Sequence, residues 1–128
     1  MNSICMDTSA WIEITHSGAN AQKFAKAAST AASVFISTIS IYEITRYTNR
    51  VAGEEATEKI LTFLQQYNLI PVSEEIAILA ATLGTRHKLA MADSLIYATA
   101  LTHKTTLWTQ DSDFKNLPHV KYFPKTNP

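Results

Sequence analysis

The stretch Met91–Thr109, MADSLIYATALTHKTTLWT, decides the fold of this chain. Its first part, Met91–Thr102, is apolar on nearly every side and carries Asp93 as its single charge, which predicts a central buried helix. Its second part, Thr105–Thr109, is rich in β-branched and aromatic residues and predicts a strand. A buried helix that leads directly into a strand indicates an α/β protein, in which helices cover a parallel sheet.

The rest of the chain repeats this alternation of strands and helices. Further strands are predicted over Ser3–Asp7, Ser33–Thr38, Leu69–Val72 and Lys121–Phe123. Further helices are predicted over Trp11–His16 with Thr8 or Ser9 as its cap, Asn20–Ala28, about Ser40 to Arg50, Glu54–Tyr67, and from Ser73 or Glu74 onward. Pro71 favours an edge position for the third strand. We therefore predict a three-layer α/β/α domain with a central parallel sheet of four to five strands.

Composition limits the classes of function. The 128 residues suit one domain over residues 1–128. The 11 acidic and 11 basic residues give a formal net charge of +0, so any nucleic-acid role must depend on a local patch or a metal. The single cysteine, Cys5, excludes a disulfide scaffold and a cysteine-based zinc site. Without a signal peptide or an apolar run of about 20 residues, the sequence predicts a cytoplasmic protein with no membrane span.

Acidic residues stand where the predicted strands end and the next helices begin. Asp7 ends the first strand, and Asp111 and Asp113 follow the fourth. Asp93 lies in the first turn of the buried helix, and Glu43 lies one turn into the helix after the second strand. A doubly wound sheet would gather these carboxylates in one crevice, where they would repel one another. A hard cation such as Mg²⁺ or Mn²⁺ would cancel that repulsion, which predicts metal-assisted phosphodiester hydrolysis.

Each of these acids also has a purely structural interpretation. Asp7 could cap the following helix, and Asp93 could interact with a helix dipole. Asp111 and Asp113 could be turn formers, and Glu43 could be an exposed helix residue. One shared crevice, however, would explain all five together. The other glutamates are predicted to be ordinary solvated or helix-start residues: Glu13, Glu54, Glu55, Glu58, Glu74 and Glu75.

Four motifs resemble, in order, those of the PIN-domain ribonucleases and, within them, the VapC-type toxins of toxin–antitoxin pairs. They are MDTSAWI (6–12), ISTISIYEITR (36–46), MADSLIYATAL (91–101) and LWTQDSDF (107–114). The third is the most specific match. The resemblance covers essentially the whole chain and implies a PIN-like fold.

The resemblance also implies a site and a reaction. The implied metal-holding acids are Asp7, Glu43, Asp93 and Asp111, with Asp113 as an accessory acid. The implied hydroxyl groups that orient carboxylates or water belong to Thr8, Ser9 and Thr109. The reaction would be endonucleolytic cleavage of RNA, transfer or ribosomal, by a metal-activated water, leaving a 5′-phosphate and a 3′-hydroxyl. The implied partners are a VapB-type antitoxin that occupies the acidic cleft and a second copy of the chain in a homodimer.

Some interpretations remain open at this point. Arg46 and Arg50 lie roughly on the helical face of Glu43 and could contact RNA or the antitoxin, or could form a solvated edge. The alternative to a nuclease is a PIN-like module that binds RNA or protein with weak or no catalysis, although the intact acid set argues against it. A receiver-like phospho-acceptor domain is disfavoured because Asp7 has no acidic neighbour and no acceptor aspartate follows the third strand.

Overall fold

Strands and helices alternate along the chain as predicted. The structure, a computed structural model, describes residues 2–126. Within this range the strands are β1 (Ser3–Met6), β2 (Ser33–Ser37), β3 (Asn68–Ile70), β4 (Thr106–Thr109) and β5 (Val120–Tyr122). The helices are α1 (Thr8–Thr15), α2 (Ala21–Thr30), α3 (Thr38–Ala52), α4 (Glu54–Leu64), α5 (Glu74–His87) and α6 (Met91–Thr102), with a 3₁₀ turn at Ser112–Phe114. None of these helices is long and apolar enough to cross a membrane.

The strands form one parallel sheet in the order β3-β2-β1-β4-β5. The chain builds one half of the sheet outward from β1 to β3, then returns to the other side of β1 and adds β4 and β5. Met6 of β1 lies opposite Trp108 of β4. The crevice between these two strands is a topological switch point, where open α/β sheets bind their ligands. β3 is an edge strand, as predicted from Pro71, but it ends at Ile70, so Pro71 lies just outside it rather than within it.

Two hydrophobic cores cover the two faces of the sheet. Successive residues of a strand point to opposite faces, so Ile4 and Met6 enter one core and Cys5 enters the other. The first core includes side chains of the first four helices, among them Trp11, Phe24, Ile44 and Leu64. The second includes side chains of the last two helices, among them Ile76, Leu83, Ile96 and Tyr97. The predicted three-layer α/β/α architecture is therefore confirmed.

Side-chain caps set the helix starts next to the switch point. The expectation that Thr8 or Ser9 caps α1 was wrong. The cap is Asp7, whose Oδ1 accepts the Ala10 N–H at 3.0 Å, and the helix therefore begins at Thr8. A charged carboxylate is a strong acceptor at the positive end of a helix. Ser37 Oγ similarly accepts the Ile39 N–H at 3.1 Å, which ends β2 one residue earlier than predicted.

Candidate functional site

A cavity of about 420 Å³ lies at the carboxyl ends of β1 and β4. Four acids line it, each from a different part of the fold: Asp7, Glu43, Asp93 and Asp111. Asp113 stands close by, because carboxylate oxygens of Asp93, Asp111 and Asp113 lie within 4.8 Å of one another. The structure thus brings together the acids that the strand-end argument singled out.

Asp7 is buried at the centre of a hydrogen-bond network. Its side chain is 3% exposed and accepts the hydroxyl of Thr109 at 2.6 Å and that of Ser9 at 2.8 Å. The Thr109 hydroxyl also accepts the Asp111 N–H at 2.9 Å, which links the ends of the two strands. Because Asp7 both caps α1 and lines the cavity, its structural and functional interpretations describe the same side chain.

Glu43 is held by a contact between α1 and α3. The Thr8 hydroxyl donates to Glu43 Oε1 at 2.6 Å and lies 3.0 Å from the buried Ser40 hydroxyl. Glu43 is half-buried, so it is not the freely exposed helix residue of the structural alternative. With this contact, each of the three hydroxyl residues singled out from the sequence donates to an acid of the cavity.

Asp111 and Asp113 shape the segment after β4. Asp111 Oδ1 accepts the Asp113 N–H at 2.9 Å and caps the 3₁₀ turn. Asp111 is half-buried and lines the cavity, whereas Asp113 is exposed. The turn-forming interpretation is therefore correct for Asp111, and the same turn brings its carboxyl group to the cavity.

The cavity carries more negative charge than its surroundings neutralise. The pKa of Asp93 is raised from 3.8 to about 7, first by burial and then by the charges of Asp111, Asp113, Glu43 and Asp7. The pKa of Asp7 is raised from 3.8 to about 6, mainly by burial, although hydrogen bonds from Thr109, Ser9 and Ala10 act to lower it. Ionising the full set without a counter-charge is therefore unfavourable.

The donor set fits a hard divalent cation. The acids offer only oxygen ligands, which Mg²⁺ and Mn²⁺ prefer, and open positions would remain for water or phosphate. Three of the acids place oxygens close enough to share one ion. Among the described residues, no histidine or cysteine lines the cavity, which disfavours a structural zinc site.

We expect the metal-free protein to lose stability as the pH rises from about 4 to about 7. Asp7 and Asp93 have folded-state pKa values of about 6 and about 7, above the roughly 3.9 of an unfolded aspartate, so the folded state binds more protons in this range. The free energy of unfolding should fall until both groups are ionised. Urea unfolding in EDTA at several pH values across this range measures the free energy of unfolding. A flat or rising profile would contradict the charge excess, and added Mn²⁺ should reverse the loss.

Lys125 is the one basic residue among those that line the cavity within residues 2–126. The sequence reasoning missed it because it stands alone in the C-terminal segment. Arg46 and Arg50 do not line the cavity. Arg46 Nη1 donates to the Tyr42 hydroxyl at 3.1 Å, and the Arg50 guanidinium lies 5.3 Å from the ring centre of Tyr47.

Glu13 was expected to be an ordinary solvated residue, and that expectation was wrong. Its Oε2 accepts the Asn20 N–H at 2.9 Å, and its Oε1 accepts Nε2–H of Gln110 at 3.2 Å. Asn20 Nδ2 donates to Gln110 Oε1 at 3.1 Å. Gln110 also lines the cavity, and its position between Thr109 and Asp111 was the one available signal. Sequence reasoning missed both amides because their partners are distant along the chain.

Comparisons with known proteins give one family model and several solved structures that resemble this chain. A family model described as PIN domain matches residues 4–120. A toxin–antitoxin complex from Klebsiella pneumoniae is similar in structure, with a TM-score of 0.80, 25% identity, and coverage of 94% of this chain and 98% of that chain. VapC20 of Mycobacterium tuberculosis, described as a sarcin–ricin loop cleaving toxin, has a TM-score of 0.78 and 19% identity, over 94% of this chain and 99% of that one. A comparison with curated proteins gives no significant sequence match.

Proposed function

The chain belongs to the PIN domain family, and from this premise we propose that it is a metal-dependent endoribonuclease, the toxin of a type II toxin–antitoxin pair. The observation that carries the proposal is the convergence of four carboxylates in one cavity at the switch point of the sheet. An inactive binding module would not need to keep four mutually repelling acids in place. The similarity to toxin structures supports the biological role.

The acids divide the work in this proposal. Asp7 and Asp93 are the main metal ligands, Glu43 and Asp111 hold a second ion or position water and RNA, and Asp113 is accessory. A bound Mg²⁺ or Mn²⁺ supplies Lewis acidity that activates water and neutralises phosphate charge.

The hydroxyl groups fix the carboxylates before any ligand arrives. Ser9 and Thr109 hold Asp7, and Thr8 holds Glu43. The two oxygens of a carboxylate offer about four acceptor sites, so Asp7 keeps capacity for a further ligand beyond its hydrogen bonds. Fixed carboxylates lose little entropy when they bind an ion or a substrate.

The proposed partners are an RNA and an antitoxin. The substrate is a transfer or ribosomal RNA, and a VapB-type antitoxin inhibits the enzyme by occupying the acidic cavity. These roles place the protein in the cytoplasm, where its substrate is made. Homodimerisation also stays a prediction.

RNA cleavage by the purified chain, free of antitoxin, tests the proposal. We expect total RNA to be cut in Mn²⁺ or Mg²⁺, to stay intact in EDTA, and to be cut again when metal is restored in excess. The products should carry a 5′-phosphate and a 3′-hydroxyl, which end-specific labelling detects. A folded protein that binds no metal and cuts no RNA would favour the alternative, a PIN-like binding module.

A further inference from the structure

The network of Glu13, Asn20 and Gln110 is buried beside the acidic cavity. Asn20 is 3% exposed and Gln110 is 6% exposed. Their side-chain amides pair with one another, and the Glu13 carboxylate accepts the side-chain N–H of Gln110 and the backbone N–H of Asn20. Gly18 makes room for this arrangement, because a Cβ at its position would overlap the Glu13 carboxyl group. A buried polar network in which the groups are paired holds its members in one geometry.

The network also fastens the C-terminal segment. Asn20 Nδ2 donates to the carbonyl oxygen of Pro124 at 3.0 Å. One residue earlier, the Phe123 N–H donates to the Thr109 carbonyl at 2.9 Å, and the Phe123 ring stacks on Trp108 with centroids 5.1 Å apart. Lys125 follows directly, so the backbone that carries it is fixed by the Asn20 side chain, just before α2, and by contacts with β4.

Lys125 lines the acidic cavity, and among the described residues it forms no ion pair within 4.0 Å. In the described part of the chain, the one ion pair within 4.0 Å joins Lys59 and Glu55 on α4. The Lys125 ammonium is therefore not neutralised by a described carboxylate at that distance. Any RNA that enters the cavity must bring a negatively charged phosphate close to four acids, which costs electrostatic energy. A lysine ammonium is a common ligand of backbone phosphates.

We infer that Lys125 binds a phosphate of the RNA beside the bond to be cut, and that Asn20 is a positioning residue that sets its location through Pro124. This inference rests on the proposed function. The contact does not read the base sequence, so its loss should weaken the binding of every RNA to a similar degree. It should leave the chemical step, which depends on the acids, unchanged.

The test compares Lys125→Gln with a matched variant, Lys26→Gln, which removes the same charge from an exposed position on α2. Initial rates are measured in Mn²⁺ on a 5′-labelled pool of single-stranded RNA of random sequence. For Lys125→Gln we expect KM to rise about three- to tenfold at unchanged kcat, and the slope of log(kcat/KM) against log[salt] to become shallower by about 0.7. Lys26→Gln should match the wild type, and Lys125→Arg should restore both quantities.

Asn20→Ala separates positioning from charge. It should raise KM as Lys125→Gln does, and the double variant should be little worse than either single variant, since both disturb one contact. If the wild type cleaves the pool and Lys125→Gln equals Lys26→Gln in KM and salt slope, the inference is wrong and the proposed function stands. If the wild type cleaves neither this pool nor total RNA in Mn²⁺, the proposed function fails and the inference fails with it.

Discussion

Replacing Asp93 with asparagine is expected to lower the rate of RNA cleavage at least about 100-fold. The pKa of Asp93 is raised to about 7, first by burial and then by the charges of the four other acids at the cavity. In the proposed reaction this carboxylate holds the metal, and a neutral amide cannot replace its charge. Cleavage of total RNA in Mn²⁺, scored against the wild type at equal protein concentration, gives the ratio.

The same substitution is expected to leave the metal-free protein as stable as the wild type, or more stable, at neutral pH. An asparagine removes one member of a repelling set and avoids the partial desolvation of a half-buried charge. The loss of a negative charge in the first turn of α6 opposes this gain by about 0.3–1 kcal/mol. Thermal unfolding in EDTA, followed by circular dichroism, measures the difference.

Glu58→Gln is the matched control for Asp93→Asn, because it removes one negative charge from an exposed position on α4. It should cleave RNA like the wild type and unfold at the same temperature. If Asp93→Asn loses its cooperative unfolding transition, Asp93 has a structural role and the metal site is misassigned. If it folds normally and still cleaves RNA at the wild-type rate, the proposed role of Asp93 in catalysis is wrong.

Trp11→Ala is expected to reduce the free energy of unfolding by about 3–5 kcal/mol. Trp11 is 0% exposed and packs against Tyr67 with ring centroids 5.0 Å apart. Its Nε1–H donates to the Met6 carbonyl at 3.2 Å, which ties α1 to the end of β1 next to Asp7. Since the free energy of unfolding of a native protein is about 5–15 kcal/mol, this loss would remove much of the stability. Urea unfolding in EDTA measures it.

Two further variants separate the causes of that loss. Trp11→Phe keeps an aromatic ring but leaves the Met6 carbonyl without its donor, so it should cost less than the alanine variant but at least about 1 kcal/mol. Ile78→Ala removes an apolar side chain that is 62% exposed and should stay within about 0.5 kcal/mol of the wild type. A Trp11→Ala protein as stable as Ile78→Ala would show that this tryptophan does not anchor the core.

The sequence predicted the parts of the cavity that depend on strand ends. Asp7 and Asp111 follow strands that are neighbours in the sheet, and helix periodicity identified α6 with Asp93 in its first turn. In a parallel sheet these positions converge wherever the strands are adjacent, so a local pattern was sufficient.

The parts that the sequence did not predict depend on contacts between distant segments. Glu13 was grouped with the solvated glutamates because its neighbours in the sequence do not distinguish it from an exposed helix residue. Asn20 bonds to Glu13 across the turn after α1, but Gln110 meets it only after α1 has packed beside the end of β4. Lys125 lies at the cavity next to Pro124, whose carbonyl oxygen accepts a hydrogen bond from the distant Asn20 side chain. No local pattern records such pairings, since tertiary structure alone creates them.

The strand order also determines when the cavity can exist during synthesis on the ribosome. β1 precedes the other strands along the chain and lies at the centre of the sheet, but β4, its neighbour across the switch point, is translated only after six helices and two further strands. Until β4 pairs with β1, Asp7 has no hydrogen bond from the Thr109 hydroxyl, and Asp111 does not share its cavity. Pairings between segments so far apart also form slowly. The acidic cavity therefore cannot form until β4 has left the ribosome and paired with β1.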